Sequence, residues 1–477
     1  MRRLWMLLTL LLVSLLFVSS VYAEVKFDYG ASLRLRQEIW DDVINLDTPT
    51  TITPAKIAAR DRNFFRLRTQ VWGKADFTKD LGAYLRLTNE AKYYIGPFRP
   101  NEGRTDASAN RDRLDEDELI IDNFYFDAKN VFGLPVDVRI GRQDFLGPDS
   151  YGEGFLLLDG TPNDGSRSFY FNAARLRWKI TPKNSIDFVY ISNPMTDIYM
   201  PSLHPASTGS ASFVDNKKLL NASDEQGFMV YSRNKVGDNL TVEPYYIYKS
   251  EEGFAPGGSN PVLPSLHLNT VGARIVYAIP NSWKFGGEFA HQFGEYSGGR
   301  DRRGNGGYIF VGRAYPNVKW KPEFDLRYVY LSGDDPDTTK HEGWNPLFSR
   351  APYWNELIIY TLINETRATS GAIPGYWTNM HIYKASTKLN FNENTNLTLA
   401  YQYLRADEET NITGGAVGSM FSNDDKDRGH LPTAFLNHKF SKKVDGFLQF
   451  EYFVPGDFYG SSADNAIFFR WQLQVKL

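Results

Sequence analysis

Arginines recur at alternate positions in this sequence: Arg34 and Arg36, Arg66 and Arg68, Arg175 and Arg177, with Arg86, Arg139, Arg142, Arg167, Arg327 and Arg470 in similar settings. A guanidinium is always charged and presents a planar fork of donors that matches a carboxylate in bidentate fashion. Side chains two apart on an extended strand share a face, so such pairs would project together. Rings of Arg and Lys are one way in which a pore selects anions. The same residues have a second use: paired with Asp76, Glu90, Asp122, Glu323, Asp325 and Glu451 they would stiffen a wall. The net charge of −3 does not separate the two, because acids also gather in Asp115 to Glu118, Asp334-Asp335-Pro336-Asp337 and Asp424-Asp425-Lys426-Asp427.

Other chemistries find less support. The chain has no cysteine, which excludes disulfide frameworks, thiolate metal sites and cysteine nucleophiles. The seven histidines, His204, His267, His291, His341, His381, His430 and His438, are scattered. His291 and His381 are the two that could face a lumen, where a barrel hydrolase would need one, but a lone histidine reads first as a structural residue. No metalloprotease, nucleophile-elbow or phosphate-loop pattern occurs. The acidic runs lack the 12-residue calcium spacing and read as solvated loops. No catalytic residue, metal, cofactor or nucleic-acid partner is therefore expected.

The elements that must position the arginines follow from hydropathy. Met1-Arg2-Arg3, an apolar run to Val18 and Val21-Tyr22-Ala23 predict a cleaved signal peptide over 1–23. After it, strict alternation recurs: Phe65, Leu67, Thr69, Val71 against Arg66, Arg68, Gln70, Trp72, and Phe469, Trp471, Leu473, Val475, Leu477 against Arg470, Gln472, Gln474, Lys476. Segments such as 63–77 and 466–477 exceed the roughly 5–6 residues usual in globular strands and suit tilted membrane strands of about 9–11. Eighteen such strands alternate with long connections (41–62, 93–117, 145–166, 194–225, 251–265, 296–306, 333–377, 406–430, 455–465) and short ones such as Thr78–Asp80 and Lys442–Asp445. The run Leu357-Ile358-Ile359-Tyr360 does not alternate, would make the count odd, and is placed inside loop 333–377. The expected fold is all-β: residues 24–477 as one transmembrane outer-membrane barrel of about 18 antiparallel strands, termini in the periplasm, around an aqueous channel. That also explains 15% aromatics under a mean hydropathy of −0.41, since only alternate residues face lipid. Its partners would be outer-membrane lipid and, in biogenesis, the barrel-assembly machinery reading the register that ends in Leu477.

Several short motifs occur in order across most of this chain: Gly141-Arg142-Gln143, Tyr151-Gly152, Arg167-Ser168-Phe169, Ala174-Arg175-Leu176, Ser332-Gly333-Asp334-Asp335, Trp344-Asn345-Pro346-Leu347-Phe348 and Phe453-Val454-Pro455-Gly456-Asp457-Phe458-Tyr459. Together they resemble the alginate export family of outer-membrane porins. The resemblance implies an eighteen-stranded monomeric barrel whose arginine-rich lumen passes an acidic polyuronate outward, gated by its loops, with Arg142, Arg167 and Arg175 on matching positions. Tyr170 stands where the family tends to carry an acid. The expected function is an outer-membrane channel for anionic solutes, an acidic poly- or oligosaccharide foremost, lined by Arg34, Arg66, Arg68, Arg86, Arg139, Arg142, Arg167, Arg175, Arg177 and Arg327. Loop 333–377 or 194–225 is expected to fold inward as a constriction, and periplasmic export partners are a further expectation. A general or small-anion porin, and a surface receptor or adhesin using the long loops, are the alternatives.

Overall fold

A computed structural model of the chain describes residues 25–44, 46, 62–95, 115–154, 170–203, 214–215, 223–253, 264–349, 353–370, 376–412 and 420–477. The expected signal peptide lies outside the described residues. Eighteen long strands follow the chain: β1 Lys26–Asp41, β2 Arg62–Asp76, β3 Leu81–Tyr94, β4 Asp115–Ala128, β5 Val136–Gln143, β6 Phe171–Thr181, β7 Asn184–Asn193, β8 Glu225–Val236 and β9 Leu240–Glu251 form the first half. The second half is β10 Leu266–Ala278, β11 Trp283–Tyr296, β12 Arg300–Ala314, β13 Glu323–Leu331, β14 Met380–Asn390, β15 Thr395–Arg405, β16 Asp427–Lys439, β17 Val444–Pro455 and β18 Ala466–Lys476, with helix α1 Leu357–Ser370 between β13 and β14. Neighbours pair antiparallel, and β1 pairs with β18 from Ser32 opposite Lys476 to Asp41 opposite Ile467, which closes the barrel. Closure leaves no sheet edge, the condition for a spanning β-structure in lipid.

Local chemistry sets the tight turns at the end that carries the termini. The Thr78 hydroxyl accepts from the Asp80 and Leu81 amides, and the Ser441 hydroxyl from those of Lys443 and Val444. Such hydroxyl-capped turns join long strands without spare residues. Alternation sorts the two faces. Leu33, Leu35, Val71, Leu85, Ile309 and Leu326 point outward and are exposed, Ile309 at 64%. Arg34, Arg36, Arg66 and Arg68 occupy the opposite register and are buried. An arginine on the lipid face would cost about 2–4 kcal/mol at the bilayer midplane, so the charged face is the lumen.

One predicted connection differs. Segment 296–306 is not a long loop: β12 begins at Arg300, and β11 turns into it through Ser297-Gly298-Gly299. Gly304-Asn305-Gly306-Gly307 imitates a loop in composition, but lies in the wall, paired with β11 and β13. Its glycines make room for a side chain inside the barrel. The run Leu357–Tyr360 opens α1, buried within the barrel.

Candidate functional site

The lumen is charged and crossed by chain. Across β1, β2 and β3, Arg34 lies 2.9 Å from Glu90, and Arg66 lies 2.6 Å from Glu38 and 2.8 Å from Glu90. Arg36 reaches Glu38 at 3.4 Å and Gln472 at 2.7 Å. Arg86 grips Asp122 and Asp144 at 2.9 and 2.8 Å. Arg68 stands apart from these pairs. It sits between Arg34 and Glu90 in the register, and Glu90 is already held by its neighbours. Among the described residues the buried Arg68 Nε and Nη1 atoms have no hydrogen-bond partner, the residue being 6% exposed. Burying a guanidinium without a partner is costly. Arg68 is thus a cation held ready in a wall of cations.

A second cluster is built by the connection leaving β5. Asp149 lies 2.7 Å from Arg175, 3.1 Å from Arg139 and 3.3 Å from Arg177. Arg139 also holds Asp127 at 2.6 Å, and Arg177 holds Asp187 at 2.8 Å. Burial opposes ionisation of Asp149, but the Arg175 and Arg139 guanidiniums outweigh it and hold this carboxyl below the usual carboxylate range. Two residues on, buried Tyr151 donates to Asp187 at 2.9 Å and meets the Tyr231 ring edge-on at 5.0 Å. Glu153 then reaches Arg327 on β13 at 2.5 Å and accepts from the Tyr353 hydroxyl at 3.0 Å. Arg327, with Tyr353, holds the Glu153 carboxyl low against the opposing effect of burial. Segment 144–154 therefore crosses the lumen as a chord from β5 to β13.

The segment preceding α1 fills another part of the interior. Trp344, Leu347 and Phe348 are buried, and the wall is hollowed to receive two of them. A Cβ at Gly306 would lie 2.6 Å from the Trp344 ring, and one at Gly227 would lie 2.5 Å from that of Phe348. Asn355 caps α1, its Oδ1 accepting from the Ile358 amide at 3.0 Å. The Glu451 carboxylate on β17 accepts from the amides of Glu356 and Leu357 at 3.0 and 2.8 Å, an anion at a helix N-terminus. Glu356 pairs with Arg470 at 2.5 Å, and Glu365 with Arg428 at 2.7 Å. Thr361 and Asn364 donate to the carbonyls of Val43 and Ile44. Of the two candidate loops, the described residues 344–349 and 353–366 of loop 333–377 fold inward as a plug. In the other, Asp197 meets Arg142 on the outward face, and Ser202 and Leu203 pair with Ile120 and Leu119 of β4 as a short extension of the sheet.

Of the expected lining residues, Arg34, Arg66, Arg68, Arg86, Arg139, Arg175, Arg177 and Arg327 lie on the lumen register. Arg142 does not. Its row runs through Leu85, Phe124 and Asn172 on the outward face. There Asp197 grips it at 2.6 and 2.9 Å while its guanidinium covers the Tyr170 ring at 3.9 Å. Position in the strand looked equivalent to that of Arg139, but three residues of separation reverse the face. Arg167 lies outside the described residues. His291 and His381 also face outward, His291 against Asn305 and His381 against Tyr328 and Asp407. Among the described residues no three His, Asp or Glu side chains gather as metal ligands. Sequence reading missed Glu38, Asp149, Glu153 and the glycine sockets. Tyr151-Gly152, already noted as a motif, was the available signal for the chord.

Residues 55–472 match the alginate export family. No curated protein sequence matches the chain significantly. Among solved structures the chain is similar to OccAB1 of Acinetobacter baumannii, with a TM-score of 0.54 at 10% identity over 96% of this chain and 98% of that one. It is also similar to OccAB2 of the same organism, TM-score 0.53 at 10% identity over 94% and 98%. The outer membrane protein OprD from Pseudomonas aeruginosa gives 0.52 at 11% identity over 95% of each chain. At these identities the structures share the fold.

Proposed function

The chain belongs to the alginate export family and forms an outer-membrane channel, and we propose that it passes an acidic, uronate-type poly- or oligosaccharide along its arginine-bearing lumen. The observation that carries this reading is Arg68. Arg34 is its partner in the register and Arg36, Arg66 and Arg86 are the cations around it, while the wall acids Glu38 and Glu90 are held by Arg34, Arg66 and Arg470. An incoming carboxylate would supply the missing acceptor. Among lumen residues, Arg68 gains most from a solute anion, and its planar fork suits a sugar carboxylate better than a spherical halide.

Planar-bilayer reversal potentials and block by a tetrameric uronate test the reading. The wild type should prefer anions and show ligand-dependent block, and Arg68→Ala should weaken both. A cation preference in the wild type would overturn it. Conductance without block by the uronate would favour the small-anion porin instead.

A further inference from the structure

The chord 144–154 brings two carboxylates into the lumen, and both sit where a solute's carboxylates would sit. Asp149 lies within 3.3 Å of three guanidiniums belonging to two wall strands. Glu153, four residues on, lies against Arg327 across the barrel. The chord tip is pressed on the far wall: a Cβ at Gly152 would lie 3.2 Å from Glu288 and 3.3 Å from Arg274. At the same point Tyr353 of the plug segment donates to Glu153, so the two inward segments meet on one carboxylate.

We propose that Asp149 and Glu153 are built-in stand-ins for solute carboxylates, so that a polyuronate opens the lumen by taking over their arginine partners. The proposal rests on the polyuronate reading above and names how that solute regulates its own passage. The physical ground is the small net value of a buried ion pair. Desolvating both charges costs nearly what their attraction returns, so exchanging one carboxylate for another on the same arginines is close to neutral in free energy. Neutral exchange makes the chord displaceable without making it loose. A chain of linked carboxylates offers a second contact once the first has formed, at high effective concentration. A single carboxylate has no such advantage against Asp149 and Glu153, which are themselves linked. The latch therefore discriminates polyacid from monoacid, although both carry the same headgroup.

The test uses the full chain in planar bilayers, with heat-modifiable migration confirming that each variant forms a barrel. The variants are Asp149→Asn, Glu153→Gln, their combination, and Asp137→Asn. Asp137 lies on β5 with Arg139 but pairs with Lys179 at 2.8 Å and removes the same charge away from the chord. Without solute, the double variant should shorten closed dwell times by about tenfold or more, the scale of one lost charge-assisted contact. In the wild type, galacturonate tetramer should produce the same opening and the monomer should not. Wild-type dwell times in the double variant, an equal effect of Asp137→Asn, or equal action of monomer and tetramer would each overturn the latch. A cation-preferring wild type whose double variant still gates open would instead overturn the polyuronate reading and the solute's role, leaving an internal latch alone.

Discussion

Replacing Arg470 by alanine should release the plug without unmaking the barrel. Arg470 is buried on β18, 2.5 Å from Glu356 at the start of α1 and 3.2 Å from Glu38 on β1, with its guanidinium over Phe468 at 4.8 Å. Removing one partner of a buried pair leaves an uncompensated charge and costs about 3–5 kcal/mol. Glu38 keeps Arg66 at 2.6 Å, so most of that loss falls on the Glu356 contact and hence on the docking of α1. The wall is held by a closed ladder of backbone hydrogen bonds that Arg470's side chain does not enter. A loss of about 3–5 kcal/mol confined to plug docking corresponds to an increase of about a hundredfold to a few thousandfold in its open population, at about 1.4 kcal/mol per tenfold. Native-state hydrogen exchange of amides in 357–366, read by mass spectrometry, should therefore accelerate by that factor. Exchange in β1 and β18 and heat-modifiable migration should stay as in the wild type. Arg470→Lys should recover part of the protection, since it restores the charge without the fork. Unchanged exchange in 357–366, or collapse of the barrel together with the plug, would refute the reasoning.

Gly306→Ala places a methyl 2.6 Å from the Trp344 ring. It should cost about 1–3 kcal/mol of plug docking by overpacking, visible as faster hydrogen exchange of the amides of 344–349 with an intact barrel. Arg142→Ala should leave the reversal potential unchanged, because Arg142 lies on the outward face, but should expose 195–203 to protease through loss of Asp197's partner. The chord should also respond to acid. Asp149 and Glu153 are held below the usual carboxylate range when docked, so their contribution is fully present above the ordinary carboxylate pKa of about 4. It is lost as the pH falls through their depressed values, and closed dwell times should shorten only in that acidic window. Shortening that begins near neutrality would contradict the assignment.

The barrel was legible from one dimension because its information is one-dimensional. Lipid on one side and water on the other impose period two on every strand, so Phe65 to Val71 and Phe469 to Leu477 declare both their conformation and their faces. The count of eighteen follows from the same pattern. Composition misled at Gly304 and Gly306, which read as loop but lie in the wall, Gly306 as a socket. Such a socket is defined by its occupant, and Trp344 is 38 residues away from Gly306. Motif position misled at Arg142, because the side of a strand depends on parity rather than on proximity to a conserved-looking neighbour such as Gly141.

By itself, then, the sequence determined a closed wall with arginines at alternate positions, because hydrophobic periodicity is local and survives without knowledge of contacts. Only the tertiary structure decided which arginines have counter-ions. Asp149 and Glu153 come from a connection, and nothing in their sequence neighbourhood says that it crosses the lumen to Arg139, Arg175, Arg177 and Arg327. Ion pairing depends on distances of a few ångströms between residues far apart in the chain, 174 for Arg327 and Glu153 and more for Arg470 and Glu38. Closing the barrel and folding two segments into it set those distances, and among the described residues they leave Arg68 with two buried nitrogens that have no acceptor.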